Sequence, residues 1–335
     1  MMSEFDVSLY SDIEPLPIET GLDNELCQIM YTDEYKQVIG IARRLISNGE
    51  FSERALDLTS CVIDLSPAFY TIWNYRFNIV TALMAVSGDI EAFLNKELDW
   101  LDEVTLNNPK NYQIWSYRQA LLEVHPNASL KRELPVLEMM IDEDTKNYHV
   151  WSYRKWCVQK FNDFTNEFQF ADSLIEKDIY NNSAWTHRMF VLKNLTSNKN
   201  EDNWNEQLKK ETIDFEIEYA KQKITLCPQN VSSWNYLRGI LDKYFDEDYT
   251  INGIDEFAIQ YIDNIFEKNE SELTETNSTN LPQLKSSYAL QFVADGYSRI
   301  PDKKNMAIKA YKSLSIKYDP IRRGLWNHMI SKLSA

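Results

Sequence analysis

PKNYQIWSYR (Pro109–Arg118) and TKNYHVWSYR (Thr145–Arg154) are two copies of one block, and the fold follows from reading them as a repeat. Four further copies are visible: PAFYTIWNYR (Pro67–Arg76), IYNNSAWTHR (Ile179–Arg188), PQNVSSWNYLR (Pro228–Arg238) and PIRRGLWNHM (Pro320–Met329). Aligned on Trp73, Trp115, Trp151, Trp185, Trp234 and Trp326, they share Pro six places before the Trp in four blocks. Asn stands four places before it in four blocks (Asn111, Asn147, Asn181, Asn230), and Tyr or His two places after it in all six. Arg follows three places after the Trp in the first four, and an apolar residue seven places after it in every block. The fifth block shifts its Arg by one place and the sixth has lost it.

The pattern has a physical reading. Proline cannot continue a preceding helix, and asparagine suits the N-cap of the next one. The positions three before, at, three after and seven after the Trp share one helical stripe. That stripe carries an aromatic, the Trp, a guanidinium and an aliphatic. The Trp and Arg are expected to stack or to bind neighbouring loop carbonyls, locking one unit to the next. Between blocks lie partner helices, such as Gly88–Leu106 with Leu94, Leu98, Leu101 and Thr105 on one face, and Phe164–Ile179 with Phe168 and Ile175. Each unit is therefore helix, short turn, helix. Trp spacings of 42 (73 to 115), 36 (115 to 151), 34 (151 to 185) and 49 (185 to 234) fit helical repeats. Stacked hairpins bury a continuous core and curve into a superhelix with a concave face.

The rest of the chain agrees with an all-α fold. Only 8 Gly and 10 Pro occur in 335 residues, and 44% of residues are hydrophobic. Residues 1–25, with Pro15 and Pro17, read as an extended segment. Residues 26–335 read as one helical-repeat domain of about six repeats, interrupted by polar stretches near 196–212 and 267–286, the latter expected to be a mobile loop.

A net charge of −16 argues against nonspecific nucleic-acid binding. No signal peptide and no ~20-residue apolar run is present, so no membrane insertion is expected and the reading is cytoplasmic. Four scattered cysteines and four histidines form no ligand spacing, so no metal site is assigned to this chain. No P-loop, glycine-rich nucleotide turn or nucleophile–base triplet occurs. Asp142-Glu143-Asp144 is a magnesium-cluster candidate, and it reads as an acidic helix end.

What distinguishes the copies is their first turn. Only the second and third blocks carry Lys-Asn-Tyr: Lys110-Asn111-Tyr112 and Lys146-Asn147-Tyr148. A lysine just ahead of a helix N-terminus, beside free amides and a phenol, suits an anion such as diphosphate. Solvated turn lysines are the other reading, and periodicity alone does not choose between Lys110 and Lys146.

These blocks resemble the prenyltransferase α-subunit repeat. KNYQIWSYR and KNYHVWSYR, with YSDIEPLP (Tyr10–Pro17) and NNSAWTHR (Asn181–Arg188), make the chain similar over almost its whole length to fungal α subunits shared by protein farnesyltransferase and geranylgeranyltransferase type I. The resemblance implies a right-handed superhelical crescent of stacked helical hairpins around a β subunit, and transfer of farnesyl or geranylgeranyl from its diphosphate to the cysteine of a C-terminal CaaX motif. Expected partners are that β subunit and CaaX proteins such as Ras and Rho GTPases. Zinc is expected on the β subunit, with magnesium accompanying the diphosphate. By the same resemblance Lys110 is the catalytic candidate at the diphosphate and Tyr148 faces it. Gln113 contacts the peptide carboxylate, and Tyr112, Asn147 and His149 line the same edge. A Rab-type geranylgeranyltransferase α subunit and a non-catalytic repeat scaffold are the alternatives. The Lys-Asn-Tyr-Gln run in one block only, and the YSDIEPLP lead, favour the CaaX-type enzyme.

Overall fold

The computed structural model describes residues 5–18, 27, 29–197, 206–268, 273 and 281–334. Its regular structure is α-helices with short 3-10 or π turns, and the described residues contain no strand. None of these helices is long and apolar enough to cross a membrane. The chain divides into two units, residues 1–163 and 164–335.

In the first unit α1 (Asp33–Asn48), α2 (Glu53–Leu65), α3 (Tyr70–Met84), α4 (Ile90–Asn107), α5 (Tyr112–Val124), α6 (Leu130–Glu143) and α7 (Tyr148–Phe161) alternate as antiparallel partners. The block helices are α3, α5 and α7. Part of the N-terminal segment lies on the first hairpin. The Leu16 N–H donates to Gly40 O at 2.9 Å, and Arg54 binds both Asp12 and Glu50. Gly40 is required there, because a Cβ would come within 2.9 Å of Leu16 O and of the Pro15 side chain.

The second unit contains α8 (Glu167–Lys177), α9 (Asn182–Ser197), α10 (Glu206–Leu226), α11 (Val231–Tyr244), α12 (Ile254–Ile259), α13 (Ser287–Tyr297), α14 (Lys304–Ser313) and α15 (Arg323–Ser334). The block helices here are α9, α11 and α15. Of the two polar stretches, Thr196–Ser197 ends α9 and Glu206–Thr212 opens α10. Residues 198–205, 269–272 and 274–280 lie outside the described residues, as do 1–4 and 19–26 of the N-terminal stretch.

The block residues behave as a repeated device. All six Trp side chains are buried. In the first five, the indole N–H donates to the backbone carbonyl six places earlier: Pro67, Pro109, Thr145, Ile179 and Pro228. In the degenerate sixth it reaches Asp319 instead. The cap asparagines do double duty. Asn111 accepts from the Gln113 and Ile114 amides and donates to Pro67 O at 2.8 Å, so one block's cap grips the turn of the block before. Asn230 likewise accepts from Ser232 N and donates to Ile179 O. The first block has Phe69 in this place and no side-chain cap.

Two expectations change. The arginines do not settle mainly on loop carbonyls; they reach buried glutamates of the partner helices. Arg76 binds Glu97 at 2.6 and 2.8 Å while lying 3.5 Å over the Trp100 ring. Arg118 binds Glu133, and Arg188 binds Glu216. Each glutamate also accepts from the next block: Tyr117 on Glu97, Tyr153 on Glu133 and Tyr236 on Glu216. Burial first, and the adjacent carboxylate second, push these three phenols well above their ordinary range, so they remain donors. Second, the residue three places before the Trp is not in the core. In α3 the buried positions are Ile72, Trp73, Tyr75, Arg76, Ile79 and Val80. At about 100° per residue they span an arc of roughly 160°, and the position three before the Trp falls about 60° beyond its edge. Tyr70, Tyr112 and Tyr148 accordingly stand exposed.

Candidate functional site

That outward position brings the Lys-Asn-Tyr residues of two successive blocks to one edge of the first unit. Asn111 caps α5, and Asn147 caps α7 by accepting from the His149 amide at 3.0 Å. Asn147 is buried, and its amide donates to Pro109 O at 3.2 Å. Both ends of that side chain are therefore engaged with the protein's own backbone, which sets the register between the α5 and α7 first turns.

On this frame Tyr112 and Tyr148 are 65% and 68% exposed. The His149 ring lies between them, edge-on to Tyr112 with centroids 4.3 Å apart and to Tyr148 at 5.8 Å. His149 is half-buried. Burial first, then the Lys110 charge, hold its pKa below the ordinary histidine value, so the ring is neutral at pH 7. Lys110 is 71% exposed, and its Nζ lies 3.2 Å from Asp144 Oδ2. Gln113 lines two hollows. One, of about 350 Å³, includes Tyr70, Trp73, Asn74 and Phe77; the other is walled by Ala68, Asn108, Pro109 and Lys110. Lys146 is exposed, and its backbone N–H donates to Asp144 Oδ1 at 3.1 Å.

The arrangement collects a cation, two exposed phenols, a neutral imidazole and an amide beside two helix N-termini. Such a set can bind an anion through charge-assisted hydrogen bonds. Among the described residues no three His, Cys, Asp or Glu side chains gather as a metal-ligand set. Asp142 and Glu143 are the last residues before the α6 C-cap, Asp144, whose carboxylate serves the next turn and Lys110. Sequence reading passed over this role of Asp144. It also passed over the buried glutamates, although each lies twenty residues before the Tyr or His that it binds: Glu97, Glu133, Glu167 and Glu216.

Comparison with known proteins agrees with the repeat architecture. The protein prenyltransferase alpha subunit repeat model matches residues 52–83, 94–124, 130–161, 164–195 and 213–244. Each match joins a partner helix to its block helix, and the sixth block lies outside them. The farnesyltransferase/geranylgeranyltransferase type-1 subunit alpha of Candida albicans is 42% identical, covering 97% of both chains. Its Schizosaccharomyces pombe counterpart is 44% identical over 71% of this chain and 74% of its own. The type-2 subunit alpha of Candida albicans is 34% identical over 26% of this chain and 25% of its own. Among solved structures, a chain of Candida albicans protein geranylgeranyltransferase-I complexed with GGPP is 39% identical with a TM-score of 0.79, covering 99% of both chains.

Proposed function

The chain belongs to the farnesyltransferase/geranylgeranyltransferase type-1 α-subunit family, and from that premise we propose how its exposed edge takes part in CaaX prenyl transfer. The α chain pairs with a β subunit. In the transfer, the cysteine sulfur of the CaaX substrate attacks C1 of farnesyl or geranylgeranyl diphosphate. The S–C bond forms, the C1–O bond breaks, and diphosphate leaves with the electron pair. Zinc on the β subunit would favour the substrate thiolate, and magnesium would accompany the diphosphate.

This chain's residues act on the leaving group and on the peptide. Lys110 places an ammonium, and Tyr148 a phenol, where negative charge grows on the bridging and terminal oxygens. The neutral His149 ring offers an N–H donor at one nitrogen and an acceptor at the other. Gln113 donates its amide to the C-terminal carboxylate of the peptide. Tyr112 packs against His149 and walls the same edge, and Asn147 fixes the turn that carries Tyr148 and His149.

The observation that supports this reading most is the Tyr112–His149 contact at 4.3 Å with Lys110 beside it, which joins the first turns of two different repeats. A scaffold needs only the buried ladder. The test is co-expression with a farnesyltransferase β subunit, size-exclusion chromatography, and a transfer assay on a CaaX peptide. A one-to-one complex active only as a pair supports the reading. Transfer confined to a Rab–escort-protein complex, or transfer by the lone chain, refutes it.

A further inference from the structure

Lys110 does not extend freely into solvent. It belongs to the turn before α5, yet its partner, Asp144, belongs to the turn before α7. Asp144 is itself held: its backbone N–H donates to Met140 O, and Oδ1 accepts from the Lys146 N–H at 3.1 Å. One carboxylate oxygen is thus fixed by its own turn, and the other is offered across the repeat boundary at 3.2 Å. An ion pair this exposed contributes little to stability, so the fold does not account for it. A lysine ammonium on four methylenes is poorly ordered without a partner. Asp144 confines it near His149, where its charge adds to burial in holding the ring neutral.

We propose that Asp144 is a positioning residue for prenyl transfer, holding the Lys110 ammonium against the first turn of α7 so that Lys110 and Tyr148 meet the same leaving diphosphate. This rests on the role given to Lys110 above. The ammonium has three donors; one stays on Asp144 while the others face phosphate oxygens. The Lys146 N–H, then Lys110, keep Asp144 below the usual carboxylate range, so it is ionised throughout and exchanges no proton. Its negative charge repels the ground-state diphosphate, so orientation is obtained at the expense of some affinity. The benefit therefore falls on the rate of transfer, and binding gains nothing from Asp144.

Asp144→Asn tests this, because the amide oxygen can still accept from the Lys146 N–H, while the NH2 that replaces the other oxygen offers Lys110 neither the charge nor an acceptor. In the αβ heterodimer, single-turnover transfer from farnesyl diphosphate should slow about tenfold, the scale expected of a misaligned stabilising group. The dissociation constant for farnesyl diphosphate should stay the same or tighten, and Asp144→Glu should recover part of the rate. In a Lys110→Ala background Asp144→Asn should cost nothing more. Losses that multiply in the double variant, or a weakened diphosphate with an unchanged rate, overturn the positioning role while leaving Lys110 in place. An unchanged rate in Lys110→Ala alone refutes the underlying reading, and the positioning role with it.

Discussion

The second and third blocks differ from the fourth and fifth chiefly in one turn, beside the displaced Arg238 of the fifth. Inside, all four use a buried Trp on a carbonyl six residues back, an Asn cap and a Tyr or His on a buried glutamate. Outside, the second and third begin Lys-Asn-Tyr-Gln and Lys-Asn-Tyr-His, where the fourth and fifth have Tyr-Asn-Asn-Ser and Gln-Asn-Val-Ser. The difference shows that one helix keeps two separate accounts of its residues. The 160° buried arc is constrained by stacking, roughly as any repeat requires. The N-terminal turn outside that arc is open to variation, and the chemistry has collected there.

Removing the shared interior should have the largest effect, and it should be similar in both regions. Glu133→Ala leaves the buried Arg118 only its second carboxylate, Asp102, and Glu216→Ala leaves Arg188 only the more distant Asp172. Each should lower unfolding free energy by about 3–5 kcal/mol, measured by urea denaturation of the heterodimer. A loss below about 1 kcal/mol at either site would mean that the ladder is not the common support inferred here.

The distinctive first turn should respond the other way. Lys110→Ala should reduce kcat by about 10²-fold, the range for a lost transition-state donor, with thermal stability unchanged. Gln229→Ala, at the matching place in the fifth block, should leave both unchanged. Equal kinetic losses at the two positions would erase the contrast between the regions.

The caps should give a smaller change. Asn230→Ala removes the bond to Ser232 N and the bond to Ile179 O, and should cost about 1–2 kcal/mol. Asn147→Ala should cost a similar amount and additionally slow transfer, since it carries the turn with Tyr148 and His149. If both caps affected turnover equally, the site would not depend on the α7 register.

The smallest effect is electrostatic. The His149 titration, followed by NMR, should lie below the ordinary histidine value. Lys110→Ala removes a positive neighbour that disfavours protonation, so the midpoint should rise, while burial, the larger cause, still holds it low. An unmoved midpoint would place the ammonium away from the ring.

Much of this was legible in the blocks themselves. Proline and asparagine marked the helix starts, and the Trp period marked the core, because capping and burial depend on residues within one turn of each other. The stripe is one position too wide at Tyr70, Tyr112 and Tyr148, since sharing a face in projection does not make a first-turn residue part of the packed arc. The buried glutamates were harder. Glu97, Glu133 and Glu216 sit in partner helices whose sequences differ, and a charged residue on such a helix reads as solvent-facing until its arginine is placed beside it.

By itself the sequence determined where each block helix begins, that its Trp and the aliphatic seven places on face inward, and that two first turns carry a lysine and a tyrosine. Those are short-range matters, decided by backbone hydrogen bonding and a 3.6-residue period. Only the tertiary structure decided which carboxylate each arginine meets, and that Lys110 is drawn to Asp144 in the next repeat. These partners are brought together by the stacking of one hairpin on another, and that distance is not written in either segment alone.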